Sequence, residues 1–434
     1  MFSFLQREVV SRGGVLFRGS IPQRLEQLSL GPDITVTPAS ATDGQLWSAR
    51  ASHPKWGDAL ISCVRAPHPL PDELIDCTVS LSDAEKTLAR TGEHCVGVEV
   101  SARKGRILTD GKRLLFWLRA VMGSAGVVAF NAPSMLLWSS AMLDDELAHD
   151  ADLDIESLYC LHAVHRDNSA EVFWLHTHGL EQLNAFDIDV LQPSAMAMSI
   201  CGDIVRALAF AALEGAIQPD ASEVALAWPG GTVSLVPVGR FHAQAAERYT
   251  SLRELDTHGG RRSVVCEPAT GFFSRWRRRP VPSRFLAGLN DDQVVFHFTT
   301  AATALMSERA RNTVPLFAAM VLEFEELELP ALVKLGYETD GGSDNDKEHL
   351  WFQVHRVVGD TVDATLTNAP HRVSALTQGQ RGEFDLSRLT DWSILSPAGM
   401  MTPRNISAAR QLRSQLPLWK ERLKAARNTL EGSA

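Results

Sequence analysis

Imidazole and thiolate side chains hold divalent transition metals, and four such residues alternate within one short stretch of this chain: Cys160, His162, His176 and His178. The residues around them read as two strands, 157–166 and 171–177, joined by Asp167-Asn168-Ser169. If Arg166 pairs with Ala170, then Val164 faces Val172, His162 faces Trp174 and Cys160 faces His176. Cys160, His162 and His176 then share one face, with His178 just past the strand end. Zinc is the ion that such a donor set suits. The competing reading is a packed face: Val164, Val172 and Trp174 lie on that side, where hydrogen-bonded histidines would be core residues. A one-residue slip would also send His176 to the face of Tyr159. No carboxylate ligand is indicated by the pattern.

Other motifs carry less chemistry. Gly105 to Arg113 follows a strand and opens a helix, as a phosphate-binding loop does. It has five residues between the glycines instead of four, and Arg113 stands where a hydroxyl should bind magnesium. Gly123-Ser124-Ala125-Gly126 is not a nucleophile elbow. Arg275-Trp276-Arg277-Arg278-Arg279 combines cations with an aromatic ring, which can hold single-stranded nucleic acid or phosphate, with a solvated loop or a contact to an acidic surface of the neighbouring domain as the alternative. Trp351 and Trp392 are further interaction-surface candidates, with burial in a small core as their alternative. These signals give no catalytic residue and no cofactor other than the zinc alternative.

The elements that must position these residues follow from periodicity. Leu350, Phe352 and Val354 alternate with polar neighbours, Val358-Gly359-Asp360 turns, and Val362, Ala364 and Leu366 alternate again. A third strand is expected near Phe384 and Leu386, and the meander closes on Asp391-Trp392. Further upstream, Cys95 to Val100, a helix from Gly111 to Met122 capped by Asp110, and Val127 to Phe130 suggest a strand–helix–strand unit. Ser82 and Glu85 form a capping-box pair at the start of another helix. A long helix is expected over 193–214, and a hairpin over 224–236. Ala409, Leu412 and Leu416 share a helical face in the tail, where Pro417 should kink the helix or start a new one.

At 434 residues the chain is long enough for two or three domains. The net charge of −10 disfavours nucleic acid and anionic membranes as general partners. Six cysteines, none in a Cys-x-x-Cys pair, read as reduced thiols of a cytoplasmic protein. The most apolar long stretch, Ala195 to Ile217, contains Asp203, Arg206 and Glu214, so a buried amphipathic helix is expected there instead of a membrane span.

Two segments resemble bacterial families. Ala310 to Phe317, Val333-Lys334, Glu348 to Trp351, Gly359 to Val362, Asn368 and Asp391-Trp392 occur in the order seen in domain of unknown function 2314. Phe173 to Leu180, with its His-Thr-His-Gly-Leu core, is similar to domain of unknown function 4026, which can precede it in one chain. Neither resemblance implies a reaction.

The expected fold is α+β in two domains with mixed or antiparallel sheets and flanking helices. An N-terminal domain over 1–270, divisible into two subdomains, leads through a basic linker at 271–290. A β-rich domain then covers 291–400, a small antiparallel meander with helices before and after it, and a helical tail covers 401–434. The function expected is a non-enzymatic interaction or regulatory role, of the immunity type, with one dedicated protein partner. The alternative is a metal-dependent hydrolase built around His176 and His178.

Overall fold

The computed structural model of the chain describes residues 9–19, 24–65, 67, 69–78, 80–102, 107–150, 152–165, 172–195, 197–226, 231–250, 260–268, 279–288, 300–342, 347–397 and 399–431. Its architecture is α+β with three open, mostly antiparallel sheets. The backbone divides into two compact units. The first comprises Met1–Thr78, Thr87–Ser140 and Ile155–Ala302, and the second Val79–Lys86, Ala141–Asp154 and Thr303–Ala434.

The first unit opens with a seven-stranded sheet made of β1 (Val9–Phe17), β2 (Thr35–Ala39), β3 (Gln45–His53), β4 (Gly57–Val64), β5 (His94–Ala102), β6 (Gly126–Asn131) and β7 (Leu136–Trp138). The order is β2-β3-β4-β5-β1-β6-β7. Ala49 and Ala51 point into the core while Arg50 and Ser52 face outward, as the period of two requires. The expected strand–helix–strand unit is present but split. β5 and β6 both pair antiparallel with β1, which lies between them. Sequence reading assigns no strand to β1, although Val15 and Leu16 are fully buried at the sheet centre. The run Ser11-Arg12-Gly13-Gly14 in its middle hides the pattern. The crossover helix, Ile107–Met122, starts earlier than expected, so Asp110 lies in its first turn and is not its cap. Residues 103–106 of the loop-like motif lie outside the described residues.

The second sheet of this unit runs β11-β12-β13-β10-β9-β8. It comprises β8 (Cys160–His165), β9 (Val172–His178), β10 (Asp187–Leu191), β11 (Val224–Ala225), β12 (Thr232–Pro237) and β13 (Arg262–Cys266). The apolar content of both hairpin strands points to central positions. β9 is indeed interior, but β8 is an edge strand in which no residue is fully buried. The helix Met198–Glu214 packs on β9 and β10 and ends at Gly215 in the left-handed region. Among the described residues no helix is long and apolar enough to cross a membrane.

The second unit carries a six-stranded sheet in the order β17-β16-β15-β14-β18-β19. The strands are β14 (Ala331–Glu338), β15 (Lys347–Val358), β16 (Thr361–Leu366), β17 (Arg381–Asp385), β18 (Leu389–Ser396) and β19 (Gly399–Met401). The β15–β16 turn falls where Gly359 was expected, at φ +57°. The meander does not close, because β18 returns to pair with β14 on its far side. Val333, Leu335, Leu350, Phe352, Trp392 and Ile394 form the core face. Helices Thr300–Asn312 and Val314–Glu323 precede this sheet, and Ser407–Glu431 follows it as one helix running through Pro417. The Ser82–Glu85 capping box is formed, with Glu85 N–H donating to Ser82 Oγ at 3.3 Å and Ser82 N–H to Glu85 Oε2 at 2.8 Å.

Candidate functional site

The hairpin of β8 and β9 brings three histidines together, in a register two residues away from the expected one. Val164 pairs with Trp174, His162 with His176, and Cys160 with His178. A shift of two preserves the face on which each side chain lies, so Cys160, His162 and His176 stay together. The same shift draws His178 into the ladder as the last residue of β9 instead of leaving it beyond the strand end. A bulge between Val164 and His165 accommodates the change. The expected pairing residues Arg166 and Ala170 lie outside the described residues.

The ligand atoms of His162, His176 and His178 all lie within 4.8 Å of one another. Ring centroids are 5.7 Å apart for His162 and His176, 5.0 Å for His162 and His178, and 4.6 Å for His176 and His178. Cys160 Sγ is 3.3 Å from His162 Nε2. His176 and His178 are 3% and 4% exposed, whereas Cys160 and His162 are half-buried at the sheet edge. Trp174 stacks on His176 at 3.9 Å and closes that side of the group.

Behind the histidines lies a charged group that sequence reading missed. Arg262, the first residue of β13, donates to Asp189 Oδ1 at 2.8 Å and to the Thr177 carbonyl at 3.0 Å, and lies 3.9 Å from Asp187. Asp189 also accepts from Trp174 Nε1 at 3.3 Å. Asp187 accepts from the Thr177 hydroxyl at 2.8 Å and from the Leu180 N–H at 3.2 Å. These bonds grip the backbone and side chain of Thr177, between His176 and His178 of β9. They fix the rings indirectly, as the outer partners of metal ligands do. β10 runs Asp-Ile-Asp, an alternation visible in sequence, but its partner Arg262 is more than seventy residues away and reaches it only through the parallel β10–β13 pairing.

Burial raises the Asp187 pKa to about 6, opposed by Arg262, the Thr177 hydroxyl and backbone N–H groups. Burial likewise pushes the Cys160 thiol well above its ordinary range, and the Asp187 carboxylate adds to that. A divalent cation among the histidines would act in the opposite sense on the thiol, since a coordinating thiol loses its proton.

Of the remaining candidates, Trp392 is a core residue. It is fully buried, packs tilted against Phe317 with ring centroids 5.2 Å apart and donates from Nε1 to Thr313 Oγ1 at 2.9 Å. It offers no interaction surface, because strand alternation places it on the inner face of β18. Trp351 lies on the outer face, half-buried beside Lys334. Arg275, Trp276 and Arg277 lie outside the described residues. All six cysteines are free thiols.

Residues 161–261 match a family described as a protein of unknown function, DUF4026, in its C-terminal part. Residues 302–411 match DUF2314, an uncharacterized protein conserved in bacteria. The two stand in the order that the sequence motifs imply, and the three histidines and Asp187 fall inside the first match. No curated protein and no solved structure matches the chain.

Proposed function

We propose that the chain is a zinc-type metal-binding protein, with the ion held by His162, His176 and His178 and with Cys160 as the fourth donor. The observation that carries this reading is the convergence of three imidazoles within 4.8 Å. A tetrahedral zinc ion with bonds of about 2.0–2.1 Å holds its donor nitrogens about 3.4 Å apart. Small rotations about the side-chain bonds close that difference. The mixed nitrogen and sulfur set suits a d-block ion over calcium or magnesium, which take oxygen.

A four-donor site is closed, and a closed site is structural. On this reading the ion pins the edge strand β8 to β9, and the protein acts by binding a dedicated partner, without catalysis. The alternative, a metal-dependent hydrolase, has one observation in its favour. Asp187 is a carboxyl poised near neutrality beside the cluster, the property expected of a general base. Against it, Asp187 is already engaged by Thr177, Leu180 and Arg262.

Cobalt substitution tests the reading. Purified protein loaded with cobalt(II) should bind one ion per chain and show both the intense visible bands of a tetrahedral centre and a thiolate charge-transfer band. Cys160→Ser should remove the charge-transfer band alone. A weakly coloured, six-coordinate spectrum, or no uptake, would overturn it. Retention of tetrahedral bands without any thiolate band in the native chain would select the open, hydrolytic site.

A further inference from the structure

The second unit carries another group of titratable side chains, on the sheet face opposite the Trp392 core. Lys334, in the middle of β14, has Trp351 as its neighbour on β15 and Asp391 as its neighbour on β18. Its Nζ stands 5.5 Å from the centre of the Trp351 ring. Its ammonium group makes no hydrogen bond or ion pair among the described residues, although the residue is half-buried. Burial lowers its pKa; Asp391 opposes this, and Arg404, 3.8 Å from Asp391, adds to it. A buried amine of this kind is the usual form of a nucleophilic lysine.

His349 lies on the same face, opposite Gly336. A bulge after Lys334 turns Thr390 toward it, and His349 Nδ1 is 3.1 Å from Thr390 Oγ1. The Thr390 hydroxyl has one proton and gives it to the Lys334 carbonyl at 3.1 Å. It therefore accepts from His349 Nδ1–H, which fixes the tautomer and leaves Nε2 with a free lone pair. Burial, followed by the charges of Lys334 and Lys347, lowers the His349 pKa and so favours the neutral ring.

We propose that Lys334 is the nucleophile of a second site, which captures a small 2-oxo acid as an imine, with His349 as the proton acceptor. The Nζ lone pair forms the C–N bond while the carbonyl pair moves to oxygen. A proton leaves nitrogen through His349 and reaches that oxygen. Loss of the hydroxyl with the second nitrogen proton, as water, completes the C=N bond. No oxidant or reductant enters. Trp351 provides a flat wall for the planar carbonyl. Arg404 and Lys347, whose charges are felt at Lys334 and His349, favour a carboxylate on the ligand.

The test uses the full chain, glyoxylate and cyanoborohydride, which reduces the imine to a stable adduct located by peptide mass spectrometry. Lys334 should be modified several-fold faster than the exposed Lys347 and Lys420. Glyoxylate should also outpace acetaldehyde at Lys334 but not at Lys420. His349→Gln, if its circular dichroism is unchanged, should slow labelling at Lys334 and leave Lys420 alone. Labelling of Lys334 no faster than Lys347 overturns the site. Equal rates with acetaldehyde overturn the 2-oxo acid assignment, and an undiminished Lys334 rate in folded His349→Gln overturns the role of His349.

Discussion

His162 on the edge strand lies directly across the ladder from His176 on its interior neighbour, their ring centroids 5.7 Å apart in an edge-on arrangement. Cross-strand neighbours interact whatever the backbone does elsewhere, so this pair needs only the hairpin to be in register. His178 completes the group from the next inward-facing position of β9.

A ligand that binds only the folded state stabilises it by mass action. Zinc at about a hundredfold its Kd should stabilise the native chain by about 2.7 kcal/mol. Thermal unfolding with and without zinc reads this directly. His176→Ala should abolish the zinc-induced rise in Tm, whatever it does to the metal-free Tm. A rise that survives His162→Ala, His176→Ala and His178→Ala together would place the ion elsewhere.

The cluster was legible in sequence because a two-residue register error leaves every side chain on its own face. Either pairing therefore puts Cys160, His162 and His176 on one face, whereas the group whose ligand atoms converge is His162, His176 and His178, the last of which the expected pairing leaves beyond the strand end. The strands from Lys347 to Leu366 were legible for a similar reason, since Leu350, Phe352, Val354, Val362, Ala364 and Leu366 all alternate into one core. What stayed hidden depends on long-range pairing. In β1 the run Ser11-Arg12-Gly13-Gly14 interrupts the apolar residues, and Arg262 meets Asp189 only because β13 and β10 are parallel neighbours. No local periodicity encodes that contact. Trp392 and Trp351 looked alike in sequence, and only the register of β18 and β15 against β14 separates the buried ring from the outward one.

Arg262 should be the most sensitive single position around the site. Its side chain is 2% exposed and that of Asp189 0%. Arg262→Met leaves Asp189 buried without its cation, and breaking such a pair costs about 3–5 kcal/mol. Urea denaturation should show this loss, and Asp189→Asn added to Arg262→Met should restore part of it. Because Arg262 also holds the Thr177 carbonyl, zinc affinity should fall by about tenfold or more, the scale seen when outer partners of ligands are removed. A loss of stability within ±0.5 kcal/mol of zero would mean that the pair is replaced by water on mutation.

Asp187 should impose a pH dependence of defined sign. Its folded pKa is raised from 3.8 to about 6, so folding disfavours its charged form. Its contribution is fully present below pH 4, falls as pH rises toward 6 and is lost above. One pKa unit is worth about 1.36 kcal/mol, giving a loss of about 3 kcal/mol at most. The difference in unfolding free energy between the native chain and Asp187→Asn should therefore change by up to that amount between about pH 4 and about pH 7, with the native chain relatively weaker at the higher pH. A flat difference would show that water reaches the carboxyl.

Gly179 follows His178 and should tolerate no side chain. Its φ of +107° lies where L-residues with a Cβ are rare. A Cβ built there would stand 2.8 Å from Ser134 Cβ and 3.0 Å from the Leu158 carbonyl oxygen. Both neighbours are held: Ser134 donates to Asn131 Oδ1 through its N–H at 2.9 Å and its hydroxyl at 2.7 Å, and Leu158 O accepts from Gln182 at 2.9 Å. Gly179→Ala thus combines backbone strain of about 1–3 kcal/mol with a clash that rigid neighbours cannot relieve. The turn also presents the Leu180 N–H to Asp187, so the same substitution should weaken the support behind the histidines. Denaturant unfolding should show a loss of at least about 1 kcal/mol, together with weaker cobalt binding at the His162–His176–His178 centre. Unchanged stability with unchanged cobalt affinity would show that the turn can re-form without the glycine and that its geometry does not position the ligands.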